Sequence, residues 1–197
     1  MSNKIILASQ SPRRKQLLEW AEIDFDILVK PTDESFPADM PVEEIPIHIA
    51  RNKALTIIAD PSFKKYDAQT AVLAADTIVV LDGHVIGKPS DRDDAIEILS
   101  SLSGKKHLVI TGVVLIKEGR EICFSDSTAV WFHELTLPQI EFYVDKYNPS
   151  DKAGAYAIQE WIGVVGIQRI EGDFYNVMGL PVSRVVKALG EINIKKG

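Results

Sequence analysis

The stretch KIILASQSPRRKQLLEW, residues 4–20, begins with an apolar run, continues through a polar turn and ends in a segment of helical character. Lys4–Ala8 is typical of a short buried strand, and the spacing of the apolar residues predicts a helix over Arg13–Ala21. Ser11 is suited to the N-cap of this helix and Pro12 to its first position, where the missing N–H costs nothing. A strand that leads directly into a helix indicates an α/β protein.

Two adjacent arginines, Arg13 and Arg14, fall in the first turn of this predicted helix. A helix N-terminus has unpaired N–H groups and the positive end of the helix dipole, so it suits an anion rather than further positive charge. Arginine binds phosphate through a rigid two-pronged fork. A polyphosphate ligand would explain both facts, and two solvated arginines on an ordinary strand–helix junction are the alternative.

Length and composition restrict the class of protein. The chain has 197 residues, of which 46% are hydrophobic and 25% charged, and we expect a single globular domain over 1–197 with a smaller lobe at about 89–150. The formal net charge of −6 disfavours a protein that binds nucleic acid polymers or an anionic membrane, whereas a small anionic substrate needs only a basic pocket. No apolar run approaches the length that spans a bilayer and no signal peptide is evident, so we expect a cytoplasmic protein.

Several common kinds of functional site are disfavoured by the residue types present. The one cysteine, Cys123, falls in a predicted strand, where a buried, inert thiol is favoured over a nucleophile. The histidines are scattered singly, which disfavours a zinc site. Neither a P-loop nor a G-x-G-x-x-G motif occurs, which disfavours the corresponding nucleotide-binding folds.

Strand and helix patterns alternate over the first half of the chain and are followed by a long β-hairpin, which predicts a mixed α/β sheet with flanking helices. The segment AVLAADTIVVLDGHVIG, residues 71–87, is interpreted as two apolar strands broken at Asp76–Thr77, with a hairpin turn at Asp82–Gly83. The long hairpin is expected to turn at Glu118–Gly119. Further helices are expected over Val42–Ala59, over Ser90–Leu102 with Ser90 as N-cap, after Thr136, and over Pro181–Leu189.

Four charged residues stand out by their surroundings. Asp76 lies in the apolar run VLAADTIVV, where a carboxylate is costly to bury unless a metal, a cation or a chemical task compensates; a turn aspartate is the alternative. Lys53 lies amid ARNKALTII, Lys88 in the IGKPS turn and Glu34 in the PTDESF loop. Taken singly, these three would be a snorkelling helix lysine, a surface lysine and an exposed loop acid.

Taken together with the arginine pair, these residues are the parts of a metal-dependent phosphate-transfer site. Two acids, Glu34 and Asp76, would hold a divalent cation and orient water. The lysines and arginines would neutralise the charge of a polyphosphate. Every candidate metal ligand is a hard oxygen, so Mg²⁺ or Mn²⁺ is the expected ion.

The sequence resembles the Maf family of nucleoside triphosphate pyrophosphatases. The resemblance lies in five blocks that occur in order from about residue 4 to residue 190, namely LASQSPRRKQLL, AADTIVVLDGHVIGKP, LSGKKHLVITGV, DKAGAYAIQ and IEGDFYNVMGLP. It implies a fold similar to that of the inosine-triphosphate pyrophosphatases, with two α/β lobes around a cleft. It also implies metal-dependent cleavage of a nucleoside triphosphate to a monophosphate and pyrophosphate, a role in clearing the nucleotide pool.

The same resemblance implies roles for individual residues. Asp76 corresponds to the proton acceptor of the family. Substrate contacts are implied for the positions that match the other motif residues, which are Ser9, Arg13, Arg14, Glu34, Lys53 and Lys88.

The family divides by substrate, and the residues here match the branch specific for dTTP and UTP. Arg13, Thr77 and Gln159 correspond to the specificity positions of that branch. The amide of Gln159 can donate to O4 and accept from N3–H of uracil or thymine, provided that Tyr156 or a backbone group holds it in one orientation. The chain departs from the family at Ala157 and Glu160–Trp161, where glycine or another small residue is common.

Other functions stay open at this point. The same chemistry on another base, such as 7-methyl-GTP, is one alternative. Others are a non-catalytic nucleotide-binding regulator of septation, since the family was first named for an effect on septum formation, and a plain interaction module. A homodimeric assembly is also open.

Overall fold

The computed structural model describes residues 4–67 and 69–192. The β-strands within these ranges are β1 (Ile5–Leu7), β2 (Phe25–Ile27), β3 (Val72–Leu81), β4 (His84–Ile86), β5 (Lys106–Lys117), β6 (Arg120–Phe132) and β7 (Ile167–Glu171). The α-helices are α1 (Pro12–Trp20), α2 (Ile45–Ala59), α3 (Arg92–Leu102), α4 (Leu137–Tyr147), α5 (Trp161–Gly166), α6 (Phe174–Met178) and α7 (Val182–Glu191). Short 3₁₀ helices cover Pro61–Lys65, Pro149–Asp151 and Ala153–Ala155.

The strands form one seven-stranded sheet in the order β2-β1-β3-β5-β6-β7, with β4 paired to β3. Strand β1 runs parallel to β2 and to β3, whereas the β3–β4 and β6–β7 pairs are antiparallel. The predicted mixed sheet with flanking helices is therefore confirmed.

The chain divides into two compact units. Unit 1 comprises the described residues of Met1–Asp76, Thr111–Asp126 and Gly179–Gly197, and unit 2 comprises those of Thr77–Ile110 and Ser127–Met178. Three of the boundaries fall within β3, β5 and β6, and the fourth lies between α6 and α7. The smaller lobe expected at about 89–150 and the single domain over 1–197 remain predictions.

One core cluster of unit 1 lies where α2 packs on the sheet. Its buried residues come from α2, from β1 and the residue after it, and from β3 and β5; they are Ala50, Ala54, Ile57, Ile6, Ala8, Val72, Ala74, Val114 and Ile116. Gly112 of β5 lies against the start of α2, since a Cβ at this position would come within 2.3 Å of the backbone of Pro46 and Ile47. Small residues at this contact let the helix approach the sheet closely. Residues on the sheet-facing side of α2 are thereby placed directly over β3.

The strand predictions are correct except at one place. Asp76 and Thr77 lie inside the continuous strand β3 and do not break it. The carboxylate of Asp76 can stay in the strand because the Lys53 ammonium donates a hydrogen bond to it. The turn at Asp82–Gly83 is confirmed, with φ values of 50° and 81°, as is the one at Glu118–Gly119, with 49° and 78°. Positive φ at both central residues is typical of tight hairpin turns that match the twist of the strands.

Two local predictions are wrong. The N-cap of α3 is Asp91, whose carboxylate accepts a hydrogen bond from Asp94 N–H, and Ser90 lies one residue outside the helix. Cys123 is exposed, because Glu121 and Cys123, which lie two residues apart on β6, share its outward face. Partial burial and the neighbouring Glu121 raise the pKa of the Cys123 thiol, which disfavours the reactive thiolate.

No helix among the described residues is both long enough and apolar enough to cross a lipid bilayer.

Candidate active site

The order of the first three strands creates a natural binding position in unit 1. The chain passes from β1 through α1 to β2, and then through α2 to β3 on the other side of β1. Connections that leave a central strand in opposite directions open a crevice at the carboxyl ends of the parallel strands, where ligands bind in α/β proteins. Leu7 is in register with Leu73, and the Ala8 N–H donates to the Leu73 carbonyl at 2.8 Å. The residues that follow β1 are therefore beside the middle of β3, which contains Asp76.

The polar turn after β1 is organised around the hydroxyl of Ser9. This oxygen accepts the Ser11 N–H at 3.2 Å and an Nη1 hydrogen of Arg14 at 3.1 Å. Ser11 occupies the N-cap position of α1, as predicted, but its side chain makes no capping hydrogen bond. Pro12 begins the helix, also as predicted.

The guanidinium of Arg14 is buried at the start of α1. Its Nε donates to the carbonyl of Gly179 at 2.8 Å, in addition to the bond to Ser9. Burial lowers the pKa of Arg14. The negative charges of Asp76 and Glu34 oppose this shift, whereas the positive charge of Arg13 adds to it. Three charged groups predicted to belong to the same site, Asp76, Arg13 and Glu34, thus lie within electrostatic reach of Arg14. The solvated-arginine alternative is wrong for Arg14, whereas Arg13 is half-buried.

A lysine between two carboxylates forms the centre of this group. The ammonium Nζ of Lys53 lies 2.7 Å from Asp76 Oδ1 and 2.7 Å from Glu34 Oε1. The side chains of Lys53 and Asp76 are 18% and 14% exposed, so most of this pair is shielded from solvent. The side chain of Glu34 is 47% exposed and stays in contact with solvent. Ion pairs that are shielded from water are stronger than those on an open surface.

Helix and strand periodicity explain why these side chains meet. Lys53 follows Ala50 by three residues and precedes Ala54, both of which face the sheet, so the lysine projects toward β3 rather than into solvent. Asp76 follows Val72 and Ala74 at alternate positions and therefore lies on the same face of β3 that α2 covers. The turn-aspartate and snorkelling-lysine alternatives are wrong at these positions.

The remaining candidates, Thr77, Lys88 and Gln159, belong to unit 2. Thr77 follows Asp76 directly in β3, and Lys88 is exposed in the segment between β4 and α3. The loop of Lys88 is tied to the segment that precedes Gln159 by a hydrogen bond from Gly154 N–H to the Gly87 carbonyl, 3.0 Å long. Unit 2 therefore brings the surroundings of two predicted substrate contacts together, and their roles remain predictions.

Gln159 is exposed near the tip of a β-turn. The Glu160 N–H donates to the Ala157 carbonyl at 3.1 Å, which leaves Ile158 and Gln159 as the two central residues of the turn. Tyr156 precedes the turn and is buried. Its hydroxyl lies 2.8 Å from Nε2 of His107, and burial lowers the pKa of this histidine to about 4. The Tyr156 hydroxyl thus contacts His107 in the core of unit 2. A hydrogen bond that orients the Gln159 amide would have to come from another group.

The acidic side chains of this site are its candidate metal ligands. Within residues 4–67 and 69–192, no group of three or more histidine, cysteine, aspartate or glutamate side chains is arranged to hold a metal ion. Glu34 and Asp76 nevertheless converge on one cation, the Lys53 ammonium, and both offer hard oxygens. Mg²⁺ is commonly held by one or two carboxylates together with substrate phosphates and water. The two carboxylates fit a metal of this kind that arrives with a polyphosphate.

Two contacts in these regions gave no signal in the sequence. The Gly179 carbonyl that anchors Arg14 is 165 positions away along the chain, and only the fold brings the two together. Tyr143 of α4 donates a hydrogen bond to Glu160 and accepts one from Ala157 N–H, although its place in the helix reads as an ordinary core position.

Comparison with known proteins places the chain in a family. The sequence model of the family described as Maf-like protein matches residues 4–192. A protein named dTTP/UTP pyrophosphatase from Bacteroides thetaiotaomicron is 46% identical over 190 residues, which cover 96% of this chain and 96% of the relative. A protein of the same name from Porphyromonas gingivalis is 45% identical, and the match covers 96% of this chain and 96% of the relative. Another from Cytophaga hutchinsonii is 46% identical, and the match covers 94% of this chain and 82% of the relative.

The match extends over nearly all of the chain and includes the turn after β1, the middle of β3 and the segment around Gln159. The chain belongs to the Maf-like protein family.

Proposed function

We propose that the protein hydrolyses dTTP and UTP to the nucleoside monophosphate and pyrophosphate, and so clears these nucleotides from the cellular pool. The observation that carries this proposal is Asp76, a carboxylate held 2.7 Å from Lys53 on the covered face of a strand that is apolar apart from Asp76 and Thr77. The names of the relatives support the choice of substrate. The buried Arg14 nearby supports a ligand of high negative charge.

Asp76 acts in this proposal as the proton acceptor. It removes a proton from a water molecule whose oxygen attacks the α-phosphorus, while the bond from that phosphorus to the bridging oxygen breaks. Pyrophosphate departs with the electron pair of the broken bond. Lys53 holds Asp76 in place through the 2.7 Å contact, and an aligned base can contribute a factor of roughly 10² to 10⁴ to the rate.

The cationic residues stabilise the charge that develops on the phosphates. Arg14 is fixed by the Ser9 hydroxyl and the Gly179 carbonyl, so it is preorganised and needs little rearrangement when the substrate binds. Arg13 and Lys88 are proposed to contact the phosphate chain, with Arg13 also near the base.

A divalent cation, Mg²⁺ or Mn²⁺, is proposed as the cofactor, with Glu34 and Asp76 as its protein ligands. When bound, it would polarise the phosphoryl oxygens and neutralise part of the substrate charge.

The base is proposed to be recognised by Gln159, together with Thr77 and Arg13. A carboxamide in one orientation donates to O4 and accepts from N3–H of uracil or thymine. Cytosine presents the reverse pattern at these two positions. The proposal includes a cytoplasmic location and involves neither a nucleic acid polymer nor a membrane; a homodimer is compatible with it.

A panel of triphosphates tests the proposed function. We expect kcat/KM for dTTP and UTP to exceed that for CTP, GTP, ATP and 7-methyl-GTP by about tenfold or more, because a mismatched base leaves polar groups unpaired. Release of pyrophosphate together with the monophosphate is the readout. Highest activity on 7-methyl-GTP would reject the base assignment and keep the chemistry, whereas calorimetric binding of dTTP without turnover of any substrate would favour the non-catalytic regulator.

Removal of divalent cations should abolish turnover. Both candidate ligands are carboxylates, so we expect Mg²⁺ or Mn²⁺ to restore activity after treatment with EDTA and Ca²⁺ to restore less, since Mg²⁺ sites favour small octahedral ions. Binding of Mn²⁺ can be followed separately by electron paramagnetic resonance in the presence of a non-hydrolysable dTTP analogue. Full activity after exhaustive chelation would reject the metal and leave the roles of Asp76 and Lys53 to be tested alone.

A further inference from the structure

The turn that presents Gln159 is held by an unusual set of contacts within unit 2. This 157–160 turn, residues Ala157 to Glu160, is closed by the 3.1 Å bond from the Glu160 N–H to the Ala157 carbonyl. One hydrogen bond contributes little by itself, and Gln159 is the exposed residue of this turn. A residue that must present an amide in one orientation needs a backbone that is more firmly fixed than this.

The hydroxyl of Tyr143 contacts both ends of the turn. It accepts the Ala157 N–H at 3.1 Å and donates to the Glu160 carboxylate through Oε2. Tyr143 is fully buried in α4, and its ring stacks on Tyr147 with centroids 5.0 Å apart. Because the tyrosine is fixed by the core, its hydroxyl is a rigid point to which the two ends of the turn are fastened.

A second charge supports the carboxylate end of this arrangement. The Nζ of Lys152 lies 3.7 Å from Glu160 Oε1 and 2.8 Å from Asp151 Oδ1, and its side chain is only 9% exposed. A carboxylate is a strong hydrogen-bond acceptor for a phenolic hydroxyl. The nearby Lys152 ammonium attracts the Glu160 carboxylate and helps to keep it beside the Tyr143 hydroxyl. Glu160 is also the N-cap residue of helix α5, and its carbonyl accepts the Gly163 N–H at 3.0 Å.

We propose that Tyr143 and Glu160 form a clamp that fixes the 157–160 turn and thereby positions Gln159 for reading the base. Both are positioning residues, since neither is assigned a contact with the substrate. This inference rests on the proposed function, because it requires that Gln159 reads the base.

The variant Tyr143→Phe tests the clamp. It removes the hydroxyl that holds both ends of the turn and retains the ring. We expect the ratio of kcat/KM for dTTP over CTP to fall about tenfold, mainly through a higher KM for dTTP, which corresponds to the loss of about one hydrogen bond to a charged group. Tyr147→Phe is the matched control, because it removes a neighbouring tyrosine hydroxyl outside the clamp and should leave the ratio unchanged.

Two variants of Glu160 keep the test decisive if Tyr143→Phe folds poorly. Glu160→Ala removes the acceptor from a half-buried position and should lower the dTTP-to-CTP ratio as Tyr143→Phe does. Glu160→Gln retains an oxygen that can accept from the Tyr143 hydroxyl, so it should preserve most of the ratio. A ratio that is unchanged in Glu160→Ala, or equal losses on every substrate, would overturn the clamp.

Amide hydrogen exchange gives a readout that does not depend on activity. The Ala157 amide should exchange about tenfold faster in Tyr143→Phe, because its acceptor is lost, while the Asn148 amide at the end of α4 keeps its rate.

Gln159→Ala distinguishes a failure of the clamp from a failure of base reading by Gln159. If it flattens the substrate ranking while the clamp variants do not, the clamp is wrong and the proposed function stands; if it leaves the ranking intact, base reading by Gln159 is wrong and the clamp falls with it.

Discussion

Asp76→Asn should lower kcat/KM for dTTP by roughly 100-fold or more, which is the contribution expected of a general base. The substitution keeps the shape of the side chain, and the amide oxygen can still accept from the Lys53 ammonium 2.7 Å away. What it removes is the ability to take a proton from water and the negative charge offered to a metal. The fold should survive, since asparagine fills the same space as aspartate and Lys53 keeps its contact with Glu34. Pyrophosphate release and thermal unfolding of the same preparation are the measurements.

Asp26→Asn is the matched control for this result. Asp26 lies on β2 and pairs with Lys4 at 2.7 Å, the same length as the Lys53–Asp76 contact, but it belongs to the surface. A substitution there breaks an ion pair of equal length outside the proposed site. Surface pairs contribute little, so neither stability nor turnover should change by much. Near wild-type turnover in Asp76→Asn would show that another group accepts the proton.

The electrostatics of unit 1 explain why the site can hold several like charges before a substrate binds. Arg13 and Arg14 repel each other and oppose the dipole of α1, as the sequence indicates. Arg14 is compensated by the carboxylates of Asp76 and Glu34, and by neutral acceptors on Ser9 and Gly179. A bound triphosphate would add the anion that the helix start and the arginines favour.

Local patterns predicted much of this fold, because hydrophobic periodicity and turn residues act over short distances. The hairpin turn at Glu118–Gly119 and the helix after Thr136 follow from signals a few residues long. The error at Asp76–Thr77 has the same origin, since polar residues in an apolar run normally end a strand. Here the carboxylate stays in β3 because Lys53, 23 positions earlier, provides its partner.

The sequence predicts the residue types of the candidate site but not its geometry. The sequence indicates that Asp76 needs a cation, but only the fold shows that this cation is Lys53 and that Glu34 shares it. Nothing in the sequence connects Arg14 with Gly179, or Tyr143 with the turn that carries Gln159, because these contacts depend on how separate elements pack.

Gln159→Glu should lower kcat/KM for dTTP and UTP by roughly 10- to 100-fold, because each polar group left unpaired in a recognition site costs about 1–3 kcal/mol. The carboxylate can accept hydrogen bonds but cannot donate to O4 of the pyrimidine. The N1–H and amino group of guanine are both donors, so GTP and 7-methyl-GTP should rise relative to dTTP. Discrimination between dTTP and UTP should hardly change, since the 5-methyl group lies on a different edge of the base.

Gln168→Glu is the control that isolates this effect. Gln168 is exposed on β7 and receives the same added negative charge, so any general weakening of triphosphate binding should appear equally in both variants. A change of ranking in Gln159→Glu alone assigns base reading to that amide. The same ranking in both variants would mean that the base is read by other groups, with Arg13 and Thr77 as the next positions to change.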